Sequence, residues 1–233
     1  MKPLTGQHAL VTGANRGIGA AVAWRLARAG ASVSLLVRTP KNAAALAQEL
    51  ERIGARCAVV AADVTDAAAL ARAIAEAIGA LGPVDVLVNN AGSAESAPFA
   101  KSDDAIFQRM LAVHLLAPVR AIQEVLPAML VRGRGRVVNV ASVAGLEGGA
   151  YIAAYTAAKH AEVGLTRALA AELHDKGVLV NAVCPGYTDT DLLHDAVRRI
   201  VDKTGRSARD AIGIILEGSG QRRLVTVDEV ADA

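Results

Sequence analysis

The segment His8-Ala9-Leu10-Val11-Thr12-Gly13-Ala14-Asn15-Arg16-Gly17-Ile18-Gly19 determines the predicted fold. Its first five residues form a short apolar run, which predicts a β-strand. A turn with three glycines follows, and then a helical pattern over residues 18–29 that ends at Gly30. A second apolar run at 32–37 predicts another strand. Strand, helix and strand in this order predict a βαβ unit with parallel strands.

The same alternation continues along residues 1–233 and predicts one domain. Apolar runs predict four more strands, at 57–61, 84–88, 136–141 and 178–183. Helical patterns lie between them, at about 42–53, around 70–78, at 103–130 with a break near Pro118, and at 153–174. The predicted fold class is therefore α/β, a single-domain doubly wound parallel sheet (Rossmann fold). Residues 187–225 are predicted to form an insertion of one or two helices that covers the substrate. The alternative is that the apolar residues of this segment simply pack on the core.

The glycine turn predicts a dinucleotide site, because it joins the first strand to the first helix. At this place backbone N–H groups and the positive end of a helix can bind a pyrophosphate. Gly13 would permit the tight turn, Gly17 the close approach of the cofactor, and Gly19 the packing of helix on strand. The spacing differs from G-x-G-x-x-G. The alternative is that these glycines serve only a turn.

The end of the second strand favours NADP(H) over NAD(H). Dinucleotide folds that prefer NAD place a carboxylate here, whereas an arginine accommodates the 2′-phosphate of NADP. This chain has Val37-Arg38-Thr39 and no acid. Arg16 in the glycine turn offers a second positive charge. NAD(H) stays possible, and the alternative for Arg38 is an ordinary solvated loop arginine.

Tyr155 and Lys159 form the candidate catalytic pair. Residues four apart on a helix share one face, so the lysine ammonium can favour ionisation of the phenol. Ser142 follows the apolar run at 136–141, and the carboxyl end of such a strand is where open α/β sheets bind ligands. The alternative is an accidental pairing on a solvated helix surface.

Composition excludes several classes of function. The net charge is +2, from 25 basic and 23 acidic residues without a long run of either sign, which argues against nucleic acid and anionic membranes as partners. Cys57 and Cys184 lack the spacing of a zinc or redox site, so we expect no metal and a reducing compartment. No apolar leader and no later membrane-spanning run are expected, which predicts a cytoplasmic protein.

Together, these motifs resemble those of the short-chain dehydrogenase/reductase family, over residues from about Thr5 to the end of the chain. Besides the glycine turn, Asp63-Val64 resembles the pair that contacts adenine, and Asn89-Asn90-Ala91-Gly92 resembles the sequence after the fourth strand. The resemblance extends to the catalytic residues and to the loop over the nicotinamide, at Ser142, Tyr155, Lys159, Pro185, Gly186, Thr188 and Thr190.

The resemblance implies an oxidoreductase that transfers a hydride between a nicotinamide and a carbonyl or secondary alcohol, such as a 3-oxoacyl thioester or a ketone. Ser142 would hydrogen-bond the substrate oxygen, Tyr155 would be the acid–base, and Lys159 would lower the pKa of Tyr155 and bind the ribose. A homo-oligomer, dimer or tetramer, is implied. The implied cofactor-binding residues are Gly13, Asn15, Arg16, Gly17, Ile18, Gly19, Arg38, Asp63, Val64, Asn90, Ala91, Gly92, Tyr155, Lys159, Pro185, Gly186, Thr188 and Thr190.

Two features depart from the family. His114 stands where an asparagine is usual, and it is a candidate catalytic residue that, titrating near pH 6.5, could add a pH dependence of its own. The alternative is a packed helix histidine with no part in the chemistry. Thr226-Val227-Asp228-Glu229 is a capping box, yet the chain stops at Ala233, so the usual last strand is expected to be missing. These departures leave open a catalytically weak partner subunit or cofactor-binding protein. A serine hydrolase and a P-loop kinase are disfavoured, since neither G-x-S-x-G nor G-x-x-x-x-G-K is present.

Overall fold

The computed structural model describes residues 2–233, which form a parallel six-stranded sheet between two layers of helices. The spatial order of the strands is β3-β2-β1-β4-β5-β6. Chain order reverses between β1 and β4, which is where such sheets bind ligands. The strands are β1 (His8–Thr12), β2 (Ser32–Val37), β3 (Cys57–Ala61), β4 (Val86–Asn89), β5 (Gly135–Val140) and β6 (Val178–Val183). The predicted doubly wound fold is confirmed.

Helices join successive strands, as the sequence predicted, and three more helices follow β6. They are α1 (Gly17–Arg28), α2 (Ala44–Arg52), α3 (Ala67–Leu81), α4 (Asp104–Leu111), α5 (Ala117–Arg132), α6 (Ala153–Leu173), α7 (Asp191–Thr204), α8 (Ala208–Gly218) and α9 (Val227–Asp232). The predicted helix over 103–130 is interrupted by a π-helical turn at Ala112–Leu116, which begins before Pro118. Such turns often mark functional sites.

Two apolar clusters pack on opposite faces of the sheet. Leu10 and Leu36 point to the face covered by α3 and α5, while Val11 and Leu35 point to the face covered by α1 and α2. Neighbouring residues of a strand face opposite sides, so a strand buried on both faces must be apolar throughout. The core therefore fixes the sheet and leaves its carboxyl edge free for chemistry.

The helical stretch Asp104–Arg132 differs from the expectation that no later run could span a bilayer. By length and composition alone it qualifies, since a window of 18 residues within it has a mean hydropathy of 1.3. Core helices of soluble proteins pass the same test. Here Ile122, Val125 and Met129 pack in the core under the sheet.

The short carboxyl-terminal helix is stabilised by a cap and by packing. Thr226 Oγ1 accepts from the Glu229 N–H at 3.2 Å, and Glu229 Oε2 accepts from the Thr226 N–H at 2.8 Å, so the predicted capping box is present. Val230 is buried, and Arg25 of α1 pairs with Asp232 at 2.8 Å. No strand follows α9 within the described residues.

Replacing Leu87 with alanine tests the assigned core. Leu87 is fully buried in β4, so L87A is expected to lower the free energy of unfolding by about 2–5 kcal/mol. Val131 on α5 is 89% exposed, and V131A is expected to change it by no more than about 0.5 kcal/mol. Urea denaturation measures both. Equal effects of the two substitutions would contradict the position of Leu87.

Candidate functional site

The glycine turn lies at the carboxyl end of β1 and leads into α1. Gly13 has φ +66°, and a Cβ atom there would come within 2.9 Å of the Ala91 Cα. Gly17 has φ +54°, while Gly19 lies against the Gly13 carbonyl, where a Cβ would be at 2.5 Å. Two positions therefore need the left-handed region that glycine tolerates, and a third needs the absence of a side chain.

Asn90 connects this turn to the end of β4. Its Nδ2 donates to the carbonyls of Thr12, at 2.9 Å, and Gly13, at 3.2 Å. Thr12 Oγ1 in turn accepts from the N–H groups of Asn90 and Ala91 at 2.9 and 3.0 Å. These bonds join β1 to β4, where the chain order of the strands reverses. In this structure the predicted Asn90-Ala91-Gly92 segment therefore stabilises the conformation of the glycine turn.

The beginning of α1 is suited to an anion. It has no acidic residue in its first turn, and no side chain caps its N-terminal N–H groups. These groups carry the positive end of the helix dipole. The predicted residues of the turn, with Asn15 and Ile18 among them, therefore fit the pyrophosphate of a dinucleotide.

Two arginines near this turn, Arg38 and Arg16, have different neighbours. The exposed Arg38 follows β2, and its charge contributes to lowering the pKa of Asp63, after the larger effect of hydrogen bonds from Thr65. Arg16 instead pairs with Asp191, the first residue of α7, at 3.0 Å. The structure thus brings Arg38, Asp63 and the buried Val64 to one side of the crevice, whereas Arg16 reaches across to the helices that follow β6.

Helix α6 is fixed on the sheet by a relay of polar side chains. Asn89 Nδ2 donates to Asn139 Oδ1 at 2.9 Å, Asn139 Nδ2 donates to Thr166 Oγ1 at 2.8 Å, and Thr166 donates to the Glu162 carbonyl at 2.8 Å. The relay runs through β4 and β5 into α6. A buried polar group is costly unless bonded, so this set of partners specifies one register of the helix.

That register places Tyr155 and Lys159 side by side, as the sequence predicted. The Lys159 Nζ lies 5.9 Å from the centroid of the Tyr155 ring. Lys159 is only 4% exposed, and its ammonium donates to the Val140 carbonyl at 2.9 Å and to Glu162 Oε2 at 2.8 Å. An ammonium has three N–H donors, so one remains for a ligand.

Ser142 lies two residues after the end of β5, whose last residue, Val140, binds Lys159 through its carbonyl. Its Oγ accepts from the Ala144 N–H at 3.1 Å, which leaves the hydroxyl hydrogen free to bond a substrate. The turn that follows packs on α6 so closely that a Cβ on Gly145 would lie 2.7 Å from the Lys159 carbonyl. The Val143 N–H donates to the Pro185 carbonyl at 3.0 Å, which joins the segment after β6 to the same site.

His114 belongs to this site, but not as a group that titrates near neutrality. Its ring meets Tyr155 edge to face, with centroids 5.2 Å apart, and its Nε2 bonds the Ser93 carbonyl at 2.7 Å. Burial, reinforced by the Lys159 charge, lowers the pKa of His114 to about 3. The expectation of a pH dependence near pH 6.5 is therefore wrong. Since Nε2 carries the proton, Nδ1 is a buried acceptor without a partner among the described residues.

The segment 187–225 forms a lobe with a core of its own. Leu193, Val197 and Ala211 are buried in it, between α7 and α8. Its two ends pair with each other, since the Val225 N–H donates to the Tyr187 carbonyl and the Asp189 N–H to the Val225 carbonyl, both at 2.9 Å. Thr188 is buried at this base, and Thr190 caps α7. Most apolar side chains of the lobe thus stabilise it.

Other predicted features have simpler roles. Cys57 and Cys184 are half-buried free thiols, and burial raises the pKa of Cys57 to about 11. Within residues 2–233 no cluster of metal-ligating side chains is found. The sequence analysis missed Glu162 and Asp191. Glu162 follows Lys159 by three residues, a spacing that puts both on one helix face, whereas the Asp191 contact joins residues too distant in sequence to be paired by spacing.

Acidification tests the neutral state of His114. Its folded pKa is depressed, so the unfolded chain binds a proton that the folded protein does not, and stability falls as pH drops from about 6.5 towards 3. One such proton contributes a slope of up to about 1.4 kcal/mol per pH unit. The buried His8, whose pKa is also lowered, adds to this slope. His114→Asn is therefore expected to make the free energy of unfolding, measured by urea denaturation at a series of pH values, depend less steeply on pH. An unchanged dependence on pH would contradict the assignment.

Comparison with known proteins identifies the family. The family model described as "short chain dehydrogenase" matches residues 7–200. An uncharacterized oxidoreductase of Bacillus subtilis (strain 168) is 39% identical over 231 residues, which cover 97% of this chain and 88% of the relative.

Solved structures of similar proteins support the same family assignment. A putative NAD(P)-dependent gluconate 5-dehydrogenase from Beutenbergia cavernae, with bound NADP at low occupancy, is 37% identical with a TM-score of 0.85, covering 98% of this chain and 88% of the other. A variant of actinorhodin polyketide ketoreductase with NADPH is 35% identical with a TM-score of 0.89, covering 97% and 87%. The chain therefore belongs to the short-chain dehydrogenase/reductase family of NAD(P)-dependent oxidoreductases, among relatives that include ketoreductases.

Proposed function

We propose that this protein is an NADP(H)-dependent oxidoreductase that reduces a carbonyl or oxidises a secondary alcohol, with Tyr155 as the acid–base. The observation that carries the proposal is the pairing of Tyr155 with the buried Lys159 beside Ser142. All three lie at the carboxyl edge of the sheet, where the glycine turn also lies. A proton donor and a nucleotide site thus share one crevice.

In the direction of reduction, Ser142 and Tyr155 both donate hydrogen bonds to the substrate carbonyl oxygen. The bound nicotinamide supplies the hydride. Tyr155 then transfers its proton to the developing alkoxide, and the nearby Lys159 ammonium stabilises the phenolate that remains. The third N–H of Lys159 would hold the nicotinamide ribose. Oxidation of an alcohol runs through the same contacts in reverse.

His114 serves as a positioning residue in this scheme. Its edge-to-face contact and its bond to the Ser93 carbonyl restrict the ring of Tyr155. A Cβ on Gly92 would lie 2.7 Å from the His114 Cε1, so glycine makes room for the imidazole there. A neutral imidazole adds no charge beside the phenol. The departure from the usual asparagine is therefore compatible with catalysis.

NADP(H) is the proposed cofactor, and NAD(H) is the alternative. Arg38 supports it, because its exposed guanidinium stands at the end of β2 with no acid in the strand to repel a phosphate. Solved relatives carrying NADP or NADPH support it as well. Asp191 already neutralises Arg16, so Arg38 is proposed as the main contact of the 2′-phosphate.

The proposed substrate is a ketone or a 3-oxoacyl thioester. The relation to a polyketide ketoreductase supports this class. Leu192 and Ile214 are the large apolar side chains of the 187–225 lobe that stay exposed, and they would contact a hydrophobic tail. We further propose a cytoplasmic homo-oligomer, a dimer or a tetramer, that acts on a small-molecule substrate. The near-neutral net charge of +2 argues against nucleic acid and anionic membranes as partners.

Removing the Tyr155 hydroxyl tests the acid–base assignment. Tyr155→Phe is expected to reduce kcat by about 10²- to 10⁴-fold, because a positioned acid or base contributes that much. NADPH binding, followed by nicotinamide fluorescence, should persist. Tyr151→Phe is the matched control, since Tyr151 is 68% exposed, and it should retain activity. Turnover of Y155F at the wild-type rate would overturn the proposal, and binding without turnover in the wild type would favour a partner subunit.

Removing the Arg38 charge tests cofactor choice. Arg38→Leu is expected to weaken NADPH binding by about 10-fold or more, since a charge-assisted bond to phosphate contributes about 1.5–3 kcal/mol. Its effect on NADH should be small. Arg52→Leu, an exposed change at the end of α2, should affect neither cofactor. Equal affinity of the wild type for NADH and NADPH would contradict the role of Arg38.

A further inference from the structure

Glu162 is a buried carboxylate that the mechanism above does not use. It is among the largest fully buried side chains of the protein, on the same face of α6 as Lys159. Its Oε2 lies 2.8 Å from the Lys159 Nζ, and the exposures of the two side chains are 2% and 5%. The carboxyl group of Glu162 and the ammonium of Lys159 are thus buried together, and Lys159 in turn lies next to the proposed proton donor Tyr155.

An ammonium so deeply buried would lose its proton readily without a counter-charge. Desolvation disfavours the charged form of lysine, and removing one partner of a buried ion pair leaves an uncompensated charge. The Val140 carbonyl, which also accepts from Lys159, supplies a dipole but no net charge. Glu162 is therefore the group that lets Lys159 remain an ammonium at this depth.

The surroundings leave Glu162 as the charge closest to the pair. Strand β6 and the turn at Val143–Gly145 contain no titratable side chain, and in β5 only the exposed Arg136 carries a charge. On α4, Arg109 is exposed and engaged by Glu95 at 2.7 Å. From the π-helical turn His114 faces Lys159, but it is neutral because its pKa is lowered to about 3.

In the 187–225 lobe, burial raises the pKa of Tyr187, and the charge of Tyr155 adds to this rise. Burial also raises the pKa of Glu162, and the Lys159 ammonium opposes this rise. The contact at 2.8 Å with the Lys159 ammonium favours the ionised form of the carboxyl group against this desolvation.

We propose that Glu162 is a positioning residue whose carboxylate holds the Lys159 ammonium and keeps the Tyr155–Lys159 pair protonated to higher pH. This inference rests on the proposed function of that pair. The phenol and the ammonium are coupled and lose their first proton as a unit. A negative charge beside them favours the state that keeps both protons, which is the state that reduces a carbonyl.

Glu162→Gln tests this inference through the pH profile. The amide keeps the shape of the side chain and an acceptor for Lys159 but removes the charge. The alkaline limb of kcat/KM for carbonyl reduction is expected to move to lower pH by about one unit or more, a typical effect of one close charge. The sign is the same whether Tyr155 or Lys159 loses the first proton. Glu172→Gln, the same change at an exposed position of α6 paired with Lys176, should leave the limb in place.

A binding measurement separates this inference from the proposed function. The cofactor is an anion, so its affinity should fall as the pair loses a proton, and in E162Q this fall should begin at lower pH. Nicotinamide fluorescence across pH reports it without turnover. Absence of turnover in the wild type would defeat the proposed function alone. Identical pH midpoints for wild type and E162Q, in binding and in any turnover, would overturn the role of Glu162.

Glu162→Asp separates charge from packing and serves if E162Q does not fold. Aspartate keeps the charge but withdraws it by one methylene, so its alkaline limb should lie between those of the wild type and E162Q. A shift in E162D as large as in E162Q would indicate a packing effect and would overturn the proposal. If E162D folds and E162Q does not, an alkaline limb of E162D at the same pH as that of the wild type would also overturn the proposal.

Discussion

The site depends on one constraint, the need to keep the charge of Lys159 in a place that water hardly reaches. Burying a lysine to 4% exposure is costly unless its ammonium is hydrogen-bonded and its charge is balanced. The Val140 carbonyl and the Glu162 carboxylate meet both needs. Val140 lies on β5 and Glu162 on α6, so the ammonium also fixes α6 against the sheet. The position of Tyr155 follows, because Tyr155 lies on the same helix.

Hydrogen bonds between buried polar side chains also hold the rest of the crevice together. Asn89, Asn139 and Thr166 form a relay through the interior, and Asn90 ties the glycine turn to β4. In a parallel sheet covered on both faces, such side chains would be costly without partners. Their bonds connect the cofactor side of the crevice to the acid–base side, so the two halves of the proposed reaction share one rigid frame.

Much of the fold could be predicted from the sequence, because the signals were local. Strands β1, β2, β3 and β6 begin and end at the predicted residues, where apolar runs stop at turns. Strand β4 was predicted to start two residues too early and to end one residue too early, since Val84 is apolar and buried without pairing in the sheet. The break near Pro118 was expected, but not its form: the π-helical turn precedes the proline and turns His114 inward.

The arrangement of some residues of the candidate site could be predicted from the sequence, but the electrostatics of the site could not. Spacing alone placed Tyr155 and Lys159 together. It could not show that His114 is buried deeply enough to stay neutral, nor that Arg16 is paired with a residue 175 positions away. Burial and long-range pairing arise from tertiary packing, which no local pattern encodes.

The central claim is that a hydride leaves a nicotinamide beside Tyr155 and arrives at a substrate carbon. Turnover of a ketone panel with NADPH carrying deuterium at both C4 positions of the nicotinamide tests it most directly, with mass spectrometry and proton NMR of the product. The account predicts one deuterium on the new carbinol carbon of a reduced ketone. Binding of the labelled cofactor with no deuterium in any product would contradict it.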